Sequence, residues 1–324
     1  MIFLYAGYYH CRACYQSFYK ALMLKLTKLI EQYIAKEKLP NAYLDVALKW
    51  FKPLCDSISL HQIKSKQTKD ASPSPFFIGI NGCQGSGKST LSGLMSYLFN
   101  EYYGKNSVVL SLDDFYYTKL ERSNLAQTVH PLLLTRGVPG THDTQLMADV
   151  FASLASGEAL SIPTFDKSID DRAPKSMWQE LAGPVDIVIV EGWCWGTYAQ
   201  DDMALATPIN SLEENSDSDG TWRSYVNNAL LTQYTPLYSY MDSWVFLKAP
   251  SFDAVYTWRR QQEKKLKLRV GNASHIMSDE EILTFIQYYQ RLTVHTLCTL
   301  EKYADFIFEL DNERNITRSR YHAK

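Results

Sequence analysis

The chain lacks an excess of either charge. Its 33 Lys and Arg stand against 35 Asp and Glu, a net of −2 over 324 residues. That balance argues against a nucleic-acid surface or an anchor for acidic membranes, both of which need a basic surplus. Long hydrophobic runs are missing too: none approaches the roughly 18 residues that span a bilayer. Cysteine is scarce. Of the six, only Cys11 and Cys14 are closely spaced, and no second CxxC or HxxxH completes a zinc site. The cysteines read as free thiols of a reducing, cytoplasmic protein. Residues 1–9 are apolar, but no positive region precedes them, so they do not read as a secretory signal. The first twenty residues are expected to be a loosely attached extension, with Met23 as an alternative start. Internal repeats are absent.

What is present is enough to fold. Hydrophobic residues make up 46% and charged residues 21%, which permits a large core and excludes wholesale disorder. Residues 18–58 repeat apolar positions at helical spacing, including Leu22, Leu26, Leu29, Ile30 and Tyr33. Residues 61–75 turn polar and end in Ser-Pro-Ser-Pro, which reads as a linker or exposed loop. Five short apolar runs follow at 76–81, 107–112, 186–191, 243–247 and 305–310. Near-continuous apolar strands suit a parallel sheet covered on both faces. Helical patterns lie between them at 88–101, 143–156 and 251–268. The last helix opens on Ser278-Asp-Glu-Glu281, a capping box. The alternation predicts an α/β fold, a doubly wound, mainly parallel five-stranded sheet flanked by helices. Residues 1–75 form an N-terminal helical extension and linker; residues 76–324 form the main domain. Residues 201–220 hold six acidic residues and no basic one and read as a long exposed insertion.

One motif decides the chemistry. Gly82-Cys83-Gln84-Gly85-Ser86-Gly87-Lys88-Ser89 matches G-x-x-x-x-G-K-[ST], with a strand before it and an amphipathic helix after it. Glycines let backbone amides point at phosphates; Lys88 reaches the β/γ-phosphates and the Ser89 hydroxyl ligates Mg²⁺. The helix N-terminus, with Thr90, adds positive potential to the same place. The guanine motif N-K-x-D and the transporter signature L-S-G-G-Q are absent. A kinase needs an acceptor-side carboxylate, an acid near the metal and cations for the transferring charge. Asp113 and Asp114 follow the second strand, at the carboxyl end where sheet ligands bind. Adjacent residues point to different sides, so one is expected to serve chemistry and the other to cap a turn. Glu191 ends the third strand, where an acid reaches the metal shell. Arg259 and Arg260 lie on the helix after the fourth strand, placed either to bring charge onto the phosphates or to form a solvated basic face.

Further segments add specificity. Ser111-Leu-Asp-Asp-Phe-Tyr116, Thr135-Arg-Gly-Val-Pro-Gly-Thr-His-Asp143, Ile162-Pro-Thr-Phe-Asp-Lys-Ser168, Asp171-Arg-Ala173, Glu191-Gly-Trp193 and Trp258-Arg-Arg-Gln-Gln262 follow the P-loop in that order. Together they resemble the plant-type D-glycerate 3-kinase family and its bacterial and fungal relatives, within the wider group of phosphoribulokinase, uridine kinase and bacterial pantothenate kinase. The resemblance covers about residues 76–310. It implies transfer of the ATP γ-phosphate to D-glycerate, with Asp113 or Asp114 as general base and Asp113 favoured. It also implies a carboxylate clamp, for which Arg136 and Arg172 are the candidates. The competing reading pairs them structurally with Asp143 or Asp166. His142, Asp143 and Lys167 are expected to line the same cleft. The family segment Pro-x-Tyr-Asp-Lys-Ser has Phe165 in place of Tyr here. Two other functions stay open: a kinase of another small hydroxylated metabolite, for which Tyr116, Tyr117, Trp193 and Trp195 would suit a base, and an ATP-binding regulatory protein.

Overall fold

The structure is a computed structural model that describes residues 12–68, 74–270 and 277–322. The apolar stretch at residues 1–9, Cys11, and residues 69–73 of the polar stretch lie outside the described residues, as does the side chain of Cys14.

The chain opens with α1 (Arg12–Glu37) and α2 (Tyr43–Val46), then a π turn (Ala47–Phe51) that leads into α3 (Lys52–Thr68). Helix α3 runs through most of the stretch expected to be a polar linker. Ile58 is fully buried and Gln62 nearly so, and the Gln62 amide donates to the Asp186 carbonyl at 3.0 Å. Burial of one face therefore overrides the low local hydropathy.

Strand β1 (Phe76–Gly82) is followed by α4 (Lys88–Glu101), β2 (Ser107–Ser111), α5 (Lys119–Thr128) and α6 (Thr144–Ser156). Short pieces come next: β3 (Leu160–Ile162), β4 (Phe165–Asp166), β5 (Asp171–Arg172) and β6 (Gln179–Leu181). After β7 (Ile187–Gly192) come α7 (Asp202–Leu205), α8 (Ser211–Ser216), α9 (Thr221–Ala229), β8 (Ser243–Lys248), α10 (Phe252–Val270), α11 (Asp279–Thr299), β9 (Phe306–Leu310) and β10 (Ile316–Tyr321). The Ser278 capping box at α11 forms as expected, with the Ser278 amide donating to Glu281 at 2.7 Å.

The main sheet has six strands in the order β10-β9-β8-β1-β7-β2. The five apolar runs supply the parallel strands. The sixth, β10, was not expected. It pairs antiparallel with β9, as an edge strand with a polar, half-exposed pattern. Such a strand shows little periodicity. Side chains alternate strictly between the two faces. Ile78, Ile80, Ile187, Ile189, Val245 and Leu247 join one core, and Phe77, Val188, Val190, Trp244 and Phe246 join the other. The first core also takes Leu26, Ile30, Phe51, Leu54 and Ile58 from the N-terminal helices. Those helices therefore roof the sheet.

Four of the six acidic residues in the 201–220 stretch, Asp201, Asp202, Glu214 and Asp219, are exposed as expected, but the other two are not. Glu213 is fully buried against Arg291, with oxygens at 2.8 and 2.6 Å from Nε and Nη2. Asp217 is buried against Arg223 at 2.9 Å and accepts the Trp222 amide at 2.6 Å. Both cations lie outside residues 201–220, which is why the local charge count misled.

Candidate active site

The loop between β1 and α4 forms the floor. Gly85 (φ +80°) and Gly87 (φ +95°) take the left-handed conformation that favours glycine. A Cβ on Gly85 would stand 2.7 Å from Trp258 Cβ on α10, whereas one on Gly87 would meet nothing within 4 Å. The space above Gly87 is open. The Ser86 amide donates to the Cys83 carbonyl at 3.1 Å, closing the turn. Gln84 Oε1 and Ser86 Oγ are buried without hydrogen-bond partners. Burial pushes the Cys83 thiol up to about 12, so it stays protonated. Gly82 ends β1, and the Thr90 carbonyl accepts the Tyr33 hydroxyl of α1 at 3.2 Å.

Lys88 and Ser89 open α4 beside Glu191, which ends β7. Ser89 Oγ donates to Glu191 Oε1 at 2.7 Å, and Lys88 Nζ lies 3.8 Å from Oε2. Burial opposes the Lys88 charge, but Glu191 and Asp113 outweigh it and raise the ammonium pKa. Glu191 Oε2 is buried with no hydrogen-bond partner. A buried carboxylate oxygen next to an exposed serine hydroxyl is a fitting place for a hydrated cation. No cluster of three acidic, His or Cys groups able to hold a metal occurs among the described residues. A Mg²⁺ held through phosphate oxygens, waters and one hydroxyl needs none.

The two aspartates separate in a short 3₁₀ turn after β2. Asp113 Oδ2 accepts Lys167 Nζ at 2.6 Å and Oδ1 accepts the Tyr116 hydroxyl at 2.9 Å. Burial would raise the Asp113 pKa; Lys167 and Lys88 prevail and lower it to about 2. Asp114 turns away, accepts the Phe165 amide at 3.2 Å and is raised by burial. It holds the start of β4.

Around Asp113 the candidate acceptor residues fall into two groups. Lys167, Arg136 and Arg172 are cations with preset carboxylate partners. Lys167 is the most exposed of them and pairs with Asp113. Arg136 pairs with Asp170, neither of the partners considered from sequence, and its guanidinium lies 5.5 Å from the Phe165 ring centroid. Arg172 pairs with Asp143 at 3.1 Å and donates to the Tyr116 carbonyl at 3.1 Å. Asp143 also caps α6 through the Leu146 amide at 3.0 Å. His142 departs from its expected place on the cleft lining. It is fully buried, its ring stacks on Tyr116 at 4.6 Å, and Nδ1 lies 2.5 Å from the Tyr234 hydroxyl. Burial lowers its pKa to about 3, so the imidazole is neutral. Its apolar surroundings hold Tyr116, and so Asp113, from behind.

Residues 135–143 are fixed from below by aromatic side chains. Trp193 Nε1 donates to the Gly137 carbonyl at 2.8 Å, and the Gly140 amide donates to the Tyr234 hydroxyl at 3.1 Å. Trp193 and Trp195 are buried, as is Tyr116. On α10, Arg259 pairs with Glu263 and lies 5.3 Å from the Phe285 centroid; Arg260 pairs with Asp279 at 2.7 Å. Trp258 packs on the P-loop at Gly85, whereas the contacts of Arg259 are with Glu263 and Phe285. Sequence reading missed Arg122 and Asp170. Only the Thr118-x-x-Glu121 capping box, which forms at α5, marked that helix at all.

A P-loop on a parallel sheet, an acid at the end of β7 and a carboxylate after β2 define a P-loop kinase. Residues 77–207 match the model of the phosphoribulokinase/uridine kinase family, and the chain belongs to that family. It is 39% identical over 239 residues to the uncharacterized kinase mug58 of Schizosaccharomyces pombe, covering 70% of this chain and 82% of that protein. It is 32% identical to the chloroplastic D-glycerate 3-kinase of Arabidopsis thaliana over 78% of this chain, which spans about half (53%) of the plant enzyme. The structure of D-glycerate 3-kinase from Cryptococcus neoformans var. grubii superposes with a TM-score of 0.70 and 26% identity, covering 84% of this chain and 99% of that one. The protein is therefore a phosphotransferase with an alcohol group as acceptor, of a family that uses ATP and acts on small molecules. No helix among the described residues is long and apolar enough to cross a membrane.

Proposed function

We propose that the protein phosphorylates D-glycerate with Mg²⁺-ATP, giving 3-phosphoglycerate and ADP. The supporting observation is the company of Asp113: one ionised carboxylate beside the P-loop, with Lys167 on it and Arg136 and Arg172 nearby. A small anionic acceptor needs such cations; a neutral sugar does not. The two relatives named D-glycerate 3-kinase support the same acceptor.

In this reading the loop amides from Gly82 to Gly87, with the start of α4 through Thr90, hold the phosphates, and Lys88 neutralises charge at the β/γ bridge. Ser89 and Glu191 would hold Mg²⁺, which would supply charge neutralisation for the transferring phosphate. Asp113 accepts the proton of the acceptor hydroxyl as that oxygen attacks phosphorus, and Arg136 and Arg172 fix the acceptor carboxylate. Arg259 and Arg260 bring positive charge toward the phosphates from α10. Asp143 orients Arg172, and Asp114 and His142 hold the frame around Asp113. Burial of Tyr116, Trp193 and Trp195 takes three of the four stacking candidates out of the nucleoside alternative and leaves it only the half-buried Tyr117.

The test is ADP release from Mg²⁺-ATP with D-glycerate, L-glycerate, pantothenate, uridine, ribulose 5-phosphate or no acceptor. Stimulation by D-glycerate alone is expected. Stimulation by another compound overturns the assigned acceptor, and equal ADP release with every acceptor and with none favours a regulatory ATP-binding protein.

A further inference from the structure

The acceptor side of the cleft is tied together by a residue outside every motif. Arg122, on α5, is 1% exposed. Its Nε donates to the Tyr117 carbonyl at 3.2 Å, Nη1 to the Leu134 carbonyl at 2.8 Å and Nη2 to the Asp170 carbonyl at 2.7 Å. Nη2 also lies 3.0 Å from Asp170 Oδ2. These acceptors belong to three segments: the stretch after Asp113-Asp114, the loop leading to Arg136, and the β4–β5 turn that carries Lys167. Asp170 itself has φ +57°, a left-handed conformation that a non-glycine residue keeps only where its surroundings hold it. Its second oxygen, Oδ1, takes Arg136. Arg122 therefore fixes both the backbone and the carboxylate that aims Arg136. A planar guanidinium with five donors can serve three segments at once; an ammonium cannot.

Burial alone would not give this meaning. Arg291 is built alike, 7% exposed, donating to the Ala204 and Thr207 carbonyls at 2.7 and 2.8 Å and to Glu213. Its carboxylate partner is fully buried and faces no cleft cation. Asp170 is about a third exposed and shared with Arg136, which is about as exposed.

We propose that Arg122 is a positioning residue for the acceptor: through Asp170 it presets Arg136 and the Lys167 turn, so that a carboxylate-sized anion meets cations already in place. This rests on the acid-acceptor reading above. The test compares Arg122→Lys and Asp170→Asn with Arg291→Lys, each by two measurements. The first is kinetics with the stimulating acceptor. Arg122→Lys and Asp170→Asn should raise the acceptor KM tenfold or more while the ATP KM stays within twofold; Arg291→Lys should lower the melting temperature and leave the acceptor KM within twofold. The second needs no acceptor: the Nε–H signal of Arg136, assigned with Arg136→Lys, should lose its ¹⁵N heteronuclear NOE in both variants and approach that of exposed Arg318. Should Arg122→Lys fail to fold, Asp170→Asn at its partly exposed site carries both readouts. The proposal is overturned if Arg136 stays as ordered as in the unaltered protein, if the acceptor KM stays within twofold, or if Arg291→Lys raises it as much. If no acceptor is turned over, the acid-acceptor reading fails, and the Arg136 signal still decides the coupling.

Discussion

Asp113 sits half-buried, where its neutral acid would be favoured, yet Lys167 and Lys88 hold it ionised with a pKa of about 2. A base so depressed binds protons weakly, so departure of Lys167 toward an incoming anion would strengthen it at the moment of use. Two consequences can be measured. Asp113→Asn should cut turnover about a hundredfold or more with the ATP KM little changed. Asp114→Asn keeps an acceptor oxygen for the Phe165 amide and should cost only a few-fold; the reverse ranking would move the base one residue along. The pH profile follows by sign. A lowered carboxylate pKa keeps the base ionised down to about pH 2, so Asp113 of the free enzyme sets no acid limb near neutrality. Lys167→Met removes the larger opposing charge and leaves burial to raise the pKa. The Asp113 carboxyl, followed by ¹³C NMR, should then titrate about one pH unit higher than in the unaltered protein. An unmoved carboxyl titration would detach Lys167 from Asp113 in solution.

At the scale of elements, sequence and structure agree where one signal dominates. The P-loop, the apolar strands and the Ser278 capping box were legible because spacing, periodicity and cap chemistry are local. The separation of Asp113 from Asp114 was legible as a pattern; which of them faces Lys88 needed the 3₁₀ turn. Arg122 was not legible, since a polar ten-residue helix reads as solvated until Leu134 and Asp170 fold over it. Likewise Glu213 and Asp217 looked exposed because their cations, Arg291 and Arg223, are distant in sequence or beyond the stretch. The P-loop also depends on α10. Alanine at Gly85 or Gly87 meets the same backbone strain, of order 1–3 kcal/mol, and both variants should bind ATP more weakly. Only Gly85→Ala also drives a methyl into Trp258, so it alone should lower the melting temperature well beyond that shared cost. Calorimetric ATP titration and thermal unfolding of the pair separate strain from collision. Equal melting temperatures would mean that α10 yields freely.

Across the whole molecule, the sheet needs cover on both faces, and the N-terminal helices supply part of one. Leu54 is fully buried in the same core as Ile78 of β1, Val245 of β8 and Phe308 of β9, three neighbouring strands, and Tyr33 reaches the Thr90 carbonyl at the head of α4. Exposing that face would uncover apolar strand residues directly beneath the P-loop. The helices should therefore unfold with the sheet as one cooperative unit. Leu54→Ala should cost about 2–5 kcal/mol, as buried leucine truncations do. In urea, its helical circular dichroism and its nucleotide binding should be lost at the same lowered midpoint. Loss of helix first, with ATP still bound by the remaining sheet, would show instead that residues 12–68 are dispensable to the kinase and that the site stands on residues 76–322 alone.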